Sequence, residues 1–156
     1  STIRSNLVVL FWGSGPLEHQ IKTKAKKLGV SDEIRIQRPQ FGKAKNKIHN
    51  LADIFVHPSV AEGFALAPLE SMACGKPIVM TNGYSAQEAV ENGINGFLCK
   101  PNDPNHWTEK LNLLIQSQNL REKMGKASLA KVKKEFQWSI AVKNHLEIFK
   151  RLNETS

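Results

Sequence analysis

Two glutamates with seven residues between them are the features of this sequence best suited to chemistry. Glu62 and Glu70 lie in a segment that follows an apolar, strand-like run and leads into a helix-like one. Pro68 suits the first position of a helix, because the N–H that it lacks would have no acceptor within the helix there. We therefore expect Glu70 in the first turn of a helix and Glu62 in the loop before it.

The backbone between these glutamates has the character of an anion site. Its amides lie at or just before the predicted helix N-terminus, where unpaired N–H groups and the positive end of the helix dipole favour a diphosphate. A carboxylate can also accept two hydrogen bonds from ribose hydroxyls, and such charge-assisted bonds are strong. A glutamate in a first helical turn often serves only the dipole and nearby amides, so a purely structural Glu70 stays open.

Around this segment, short apolar strands alternate with helices. Strands are predicted at residues 7–12, 34–36, 53–57, 77–80 and 97–99. Helices are predicted at residues 17–28, just before residue 52, at 68–74, around 107–115 and around 138–149. Strands that are apolar on both faces, each followed by a helix, indicate a three-layer, doubly wound, Rossmann-like parallel sheet of the α/β class. Ligands bind such sheets at the carboxyl ends of the strands.

The length and the net charge of the chain limit its domain number, its location and its partners. The 156 residues fit one domain, 1–156, and the first apolar run is far too short for a membrane span or a secretory signal, which predicts a cytoplasmic protein. The net charge of +8 favours anionic partners and would suit peripheral association with an acidic membrane surface. The lysines are not interleaved with aromatic residues that could stack on bases, so we expect no nucleic-acid partner.

The sequence resembles the family-4 retaining glycosyltransferases, whose donor domain carries a Glu-x7-Glu motif with the spacing of Glu62 and Glu70. The resemblance covers nearly the whole chain and includes residues 13–16 (GSGP), 52–59 (ADIFVHPS), 69–77 (LESMACGKP), 95–97 (NGF) and 136–138 (FQW), in the family's order. It implies the C-terminal, nucleotide-sugar-binding half of a GT-B architecture, truncated at its N-terminal edge.

The resemblance also implies roles for individual residues. Glu62 would face the donor sugar as the catalytic residue, and Glu70 would bind the ribose. Backbone amides would hold sugar and phosphate, and two glycines would shape a turn beside the donor; these donor-binding positions are Gly63, Phe64, Ala65 and Leu66, and Gly13 and Gly15. Arg38 would stack on the nucleobase or approach phosphate, although a surface charge is an equal reading.

The substrate implied is a UDP-, GDP- or ADP-sugar, with no further cofactor. The sequence contains no Asp-x-Asp motif that could bind a metal ion. Gly13 and Gly15 are not followed by the third glycine of the dinucleotide-binding motif. Scattered single histidines suggest no metal cluster, and His57 is expected to pack by its ring at a strand end.

The sequence departs from the family pattern in two places and lacks part of it. Tyr84 and Ser85 stand where family members usually have two glycines, and a glycine near Arg38 is missing. The family's diphosphate-gripping cations and its acceptor domain would precede this chain, so we expect the chain alone to be inactive. A non-catalytic nucleotide-sugar-binding module, an epimerase or phosphorylase of the same architecture and a basic nucleic-acid-binding domain remain as alternatives.

Overall fold

A computed structural model describes residues 7–83 and 86–154. The strands are β1 (Val9–Trp12), β2 (Ile34–Gln37), β3 (Phe55–His57), β4 (Ile78–Thr81) and β5 (Gly96–Cys99). The helices are α1 (Glu18–Leu28), α2 (Lys43–Leu51), α3 (Leu66–Ala73), α4 (Ala86–Ala89), α5 (Pro104–Gln116), α6 (Gln118–Glu135) and α7 (Trp138–Glu154), with a 3-10 turn at Ser31–Glu33. The chain divides into two compact units, one ending at Lys45 and the other beginning at Asn46.

The first unit pairs β1 with β2 in parallel, from Val9 opposite Ile34 to Trp12 opposite Gln37. Helix α1 connects them and ends where the sequence predicts. Gly29 follows it with φ of +64°, a left-handed conformation that glycine adopts without steric cost, and its N–H bonds back to the last turn.

The second unit contains a parallel sheet with the strand order β3-β4-β5, in which β4 is central and fully buried. Successive side chains of β4 point to opposite faces. Ile78 and Met80 join a cluster with Met72 of α3, whereas Val79 joins a second cluster with Leu114 of α5 and Met124 of α6. Helices therefore cover both faces of this sheet, as predicted.

Two close approaches of the backbone set the packing around this sheet. A Cβ atom on Gly96 would lie 2.0 Å from the carbonyl oxygen of Ile78, and one on Gly125 would lie 2.1 Å from the carbonyl oxygen of Gly75. Contacts that short do not occur for real side chains, so β5 lies against β4, and α6 against the end of α3, only because glycine stands at these positions.

The prediction for the start of α3 was wrong. The helix begins at Leu66, which makes Pro68 its third residue and places Glu70 beyond the first turn. The N–H groups of the first four helical residues have no acceptor within the helix, so proline at the third position breaks no hydrogen bond. Proline therefore marks the first turn of a helix and leaves the exact first residue undetermined.

No bounds were predicted for helix α6, although Lys131, Lys133 and Lys134 lie in a segment that was expected to be helical. The buried positions of α6 carry Met124, Gly125 and Ser128, of which only one is a large apolar residue. A helix that packs through small residues has a weak apolar periodicity.

None of the described helices is both long enough and apolar enough to cross a membrane.

Candidate functional site

The two glutamates stand on either side of the start of α3, within the second unit. Glu62 lies in the loop that joins β3 to α3, and Glu70 lies in the second turn of α3. The residue that caps this helix is Ala65, with an extended backbone (φ −81°, ψ 122°) and a side chain that cannot accept a hydrogen bond. The first amides of α3 thus have no side-chain cap, which leaves the end of the helix suited to an anionic group.

A pocket opens beside Glu62 at the carboxyl ends of β3 and β4. It is lined by His57, Ser59, Val60, Glu62, Ala65, Met80, Thr81, Gly83 and Ala86. The carboxyl ends of parallel strands are the usual place for ligands in open α/β sheets. The pocket brings Glu62 and Ala65 together at these strand ends, and their part in donor binding stays a prediction.

His57 is the last residue of β3, and its ring contacts Glu62. The Nε2 atom of His57 lies 3.2 Å from Oε1 of Glu62. The ring also stacks on Phe55, with 6.2 Å between the ring centroids and 13° between the planes. The predicted ring packing is therefore present, but the sequence analysis missed the contact with Glu62, because the loop that brings these residues together has no regular period.

His49, on the last turn of α2, lies between Glu70 and Ser71. The residue is 2% exposed. Its Nδ1 atom lies 2.6 Å from Oγ of Ser71, and its Nε2 atom lies 3.5 Å from Oε2 of Glu70. In the sequence this histidine is one of several isolated ones, since 20 residues stand between it and Glu70 and no pattern connects the two.

One large side chain of the segment between the two glutamates packs against the end of α6. The ring centroid of Phe64 lies 5.9 Å from that of Phe136. Leu66 is the first residue of α3 and is exposed. A Cβ atom on Gly63 would meet no other atom within 4 Å, so no crowding within the protein requires glycine at this position.

The other predicted donor-binding residues lie in the first unit. The N–H of Gly13 donates to the carbonyl oxygen of Gln37, 2.9 Å away, and extends the pairing of β1 with β2. The carbonyl oxygen of Gly15 accepts from the N–H of Glu18 at the start of α1, and Arg38 directly follows β2. Their part in donor binding stays a prediction. Tyr84 and Ser85, the predicted departures from the family pattern, lie outside the described residues.

In the first unit, the exposed ion pair between Lys22 and Glu18 shifts the pKa of the glutamate. The hydrogen bond from Lys22 and its charge lower the pKa of Glu18, with a smaller contribution from Arg38. Arg38 thus lies near enough to α1 for its charge to act on Glu18.

Within the part of the chain that the structure describes, no three His, Cys, Asp or Glu side chains are grouped to hold a metal ion.

Comparisons with known proteins agree with this architecture. The family model for glycosyl transferases group 1 matches residues 1–131. A D-inositol 3-phosphate glycosyltransferase of Corynebacterium jeikeium is 31% identical over 140 residues, which cover 90% of this chain and 33% of the relative. The chain thus spans about a third of the length of that curated relative.

Solved structures give the same fold. Anabaena Alr3699/HepE in complex with UDP-glucose superposes with a TM-score of 0.80 at 22% identity, over 94% of this chain and 41% of that one. The C-terminal domain of a glycosyl transferase group 1 family protein, LpcC of Francisella tularensis, superposes with a TM-score of 0.67 at 27% identity, over 78% of this chain and 63% of that one. The structural neighbours are GT-B glycosyltransferases, which confirms the predicted fold class. The family model matches most of the length of the chain, and the fold agrees with it. The chain therefore belongs to the glycosyl transferases group 1 family.

Proposed function

We propose that this chain is the donor-binding domain of a retaining glycosyltransferase, which transfers a sugar from a nucleoside diphosphate sugar when joined to an N-terminal acceptor domain. The observation that carries the proposal is the placement of Glu62 and Glu70 on either side of the uncapped start of α3. Glu62 lines a pocket at the carboxyl ends of β3 and β4. This arrangement offers two carboxylates for hydroxyl groups and a helix terminus for the phosphates between them.

In the proposed complex each group has a distinct task. Glu70 accepts hydrogen bonds from the ribose, and the amides from Gly63 to Leu66 bind the diphosphate and sugar. Glu62 faces the reacting carbon of the sugar, where positive charge develops in an oxocarbenium-like transition state. Donor binding by Gly13, Gly15 and Arg38, in the loops that follow β1 and β2, is part of the same proposal.

Catalysis in this proposal is mainly electrostatic. As the bond to the sugar breaks, negative charge grows on the leaving diphosphate, and the dipole of α3 stabilises it without a metal ion. The carboxylate of Glu62, 3.2 Å from the imidazole of His57, lines the pocket, and in the proposal the sugar lies next to it. A negative group there stabilises the developing positive charge of the sugar ring.

UDP is the first nucleotide to test, because Alr3699/HepE, which has this fold, has been solved with UDP-glucose. GDP and ADP remain in the proposal. The net charge of +8 supports a place at the acidic cytoplasmic face of a membrane.

The test is calorimetric titration of the full-length protein with UDP, GDP, ADP and their sugars. Glu70→Ala should weaken binding of the preferred nucleotide by about 1 to 3 kcal/mol, the range for losing one partner of a charged hydrogen bond. Glu122→Ala, which removes an exposed glutamate of α6, is the matched control and should leave affinity unchanged. Unchanged affinity in Glu70→Ala would instead limit Glu70 to a role in the fold, and failure of all three nucleotides to bind would contradict the donor site.

A further inference from the structure

We propose that His49 is a positioning residue for Glu70: with Ser71 it forms a buried chain, Ser71–His49–Glu70, that orients the carboxylate toward the nucleotide. This inference rests on the proposed role of Glu70 in binding ribose. It adds a residue from a different helix, α2, that touches neither sugar nor phosphate in the proposed complex and acts through Glu70.

The geometry determines which nitrogen of His49 faces the carboxylate. Nδ1 lies 2.6 Å from Oγ of Ser71, a full hydrogen bond. When the serine hydroxyl donates to Nδ1, the neutral imidazole carries its hydrogen on Nε2. That nitrogen is the one that lies 3.5 Å from Oε2 of Glu70. In the proposed arrangement the serine hydroxyl donates, so the chain of contacts ends with a hydrogen-bond donor directed at the carboxylate.

The surroundings of His49 make this orientation rigid. The imidazole is almost fully enclosed, at 2% exposure, and Ser71 is fully buried on α3. The phenyl ring of Phe55 packs against the imidazole, with 5.7 Å between the ring centroids and 42° between the planes. A buried ring held by a hydrogen bond on one side and by an aromatic contact on another has one available orientation. It offers the carboxylate a fixed partner.

Glu70 itself is the adjustable member of the chain. Its side chain is 36% exposed, so one end faces solvent while Oε2 is directed at His49. The 3.5 Å separation is longer than a complete hydrogen bond, and contacts in ligand-free sites often tighten only when the ligand is bound. The contact with His49 restricts the side chain of Glu70, so fewer of its rotamers are lost when a ligand binds.

A purely structural histidine makes a different prediction. If His49 only fills space between α2 and α3, its hydrogen bond with Ser71 already satisfies a buried polar ring, and its replacement affects stability alone. If it positions Glu70, its replacement also weakens nucleotide binding, and only while Glu70 is present. The two roles are separated by a double-mutant cycle, which measures whether two changes act independently.

The experiment uses the full-length protein, with UDP, GDP and ADP titrated by calorimetry and unfolding measured in parallel. His49→Phe removes both ring nitrogens and keeps an aromatic ring, whereas His49→Gln keeps a donor near the Nε2 position. We expect His49→Phe to weaken affinity roughly 2- to 12-fold, the ratio for one ordinary hydrogen bond, and His49→Gln to restore most of it. In a Glu70→Ala background, His49→Phe should change affinity less than about twofold, within the usual limit for independent changes.

Ser71→Ala provides a second and milder route to the same question. It removes the donor that places the hydrogen on Nε2, so it should weaken nucleotide binding in the presence of Glu70 and have no such effect in Glu70→Ala. Ser128→Ala is the matched control, because Ser128 is also a buried serine of this unit and its hydroxyl donates to the carbonyl oxygen of Asn95. It should reduce stability without changing nucleotide affinity. If His49→Phe does not fold, Ser71→Ala and His49→Gln decide the outcome.

The possible failures are distinct. Unchanged affinity in Glu70→Ala, or no binding of any nucleotide, overturns the proposed function and the positioning role together. Weaker affinity in Glu70→Ala with normal affinity in His49→Phe and Ser71→Ala overturns only the positioning role. Equal losses from His49→Phe with and without Glu70 overturn it as well, because they show that the histidine acts independently of the carboxylate.

Discussion

The carboxylate of Glu62 lies 3.2 Å from Nε2 of His57, the residue that ends β3. His57 is largely buried and stacks on Phe55, whereas Glu62 is partly exposed to the pocket. The imidazole therefore contacts the loop glutamate at the edge of the sheet. This contact limits the positions open to the carboxylate, and catalytic groups act only when correctly oriented.

Replacing Glu62 should separate catalysis from binding. In the full-length protein, Glu62→Gln keeps a polar side chain next to His57 and removes the negative charge, so we expect kcat to fall by about 100- to 1000-fold with little change in nucleotide affinity. Steady-state kinetics and calorimetry measure the two effects. Glu109→Gln, on the exposed side of α5, is the control. Near-normal turnover at saturating donor would show that Glu62 is not catalytic.

The 156-residue chain by itself should bind a nucleoside diphosphate weakly and transfer no sugar. Loss of one charge-assisted contact to the diphosphate costs about 1.5 to 3 kcal/mol, so the affinity should be roughly 10- to 150-fold weaker than that of the full-length protein. Orientation against an acceptor can supply about 7 to 11 kcal/mol of catalysis, which this chain alone would lack. Saturation-transfer NMR with UDP, GDP and ADP measures binding, and a sugar-release assay measures turnover. Acceptor-dependent transfer by the chain alone would contradict the prediction.

Gly125→Ala should destabilise the second unit. The new Cβ atom would lie 2.1 Å from the carbonyl oxygen of Gly75, so α6 must move away from the end of α3. Overpacking of this kind costs about 1 to 3 kcal/mol, which urea denaturation would show as a lower midpoint with an unchanged slope. Gly15→Ala is the comparison for stability, because its Cβ atom meets nothing within 4 Å. Equal midpoints for the two variants would contradict the close approach.

The ion pair between Glu91 and Lys131 should give a pH-dependent contribution to stability. The hydrogen bond from Lys131, 2.7 Å long, and the charge of Lys131 lower the pKa of Glu91. Because the pKa is lower in the folded state, the contribution is present above the ordinary pKa of glutamate and is lost as the pH falls through the lowered value. Titration by carboxyl-carbon NMR should show a lowered midpoint that returns toward the ordinary value in Lys131→Met. An identical midpoint in both proteins would rule out the pair in solution.

The order of the elements was readable from the sequence because it depends on local patterns. The apolar run ending at Trp12, the alternation at Ile34 and Ile36 and the glycine after Leu28 each act over a few neighbouring residues, and the structure has the corresponding elements. The start of α3 was predicted two residues late, since Pro68 is tolerated anywhere in the first turn. The bounds of helix α6 were not predicted because two of its three buried positions, Gly125 and Ser128, lack large apolar side chains.

The sequence by itself determined the class of fold, the spacing of Glu62 and Glu70 and the family, because strand and helix periods and a spaced motif are properties of neighbouring residues. Only the tertiary structure decided which side chains meet the two carboxylates. His57 reaches Glu62 because the loop folds back over the end of β3, and His49 reaches Glu70 because α2 packs beside α3. Such contacts arise when burial of apolar surface brings separate elements together, and no local pattern encodes which residues will then be opposite each other.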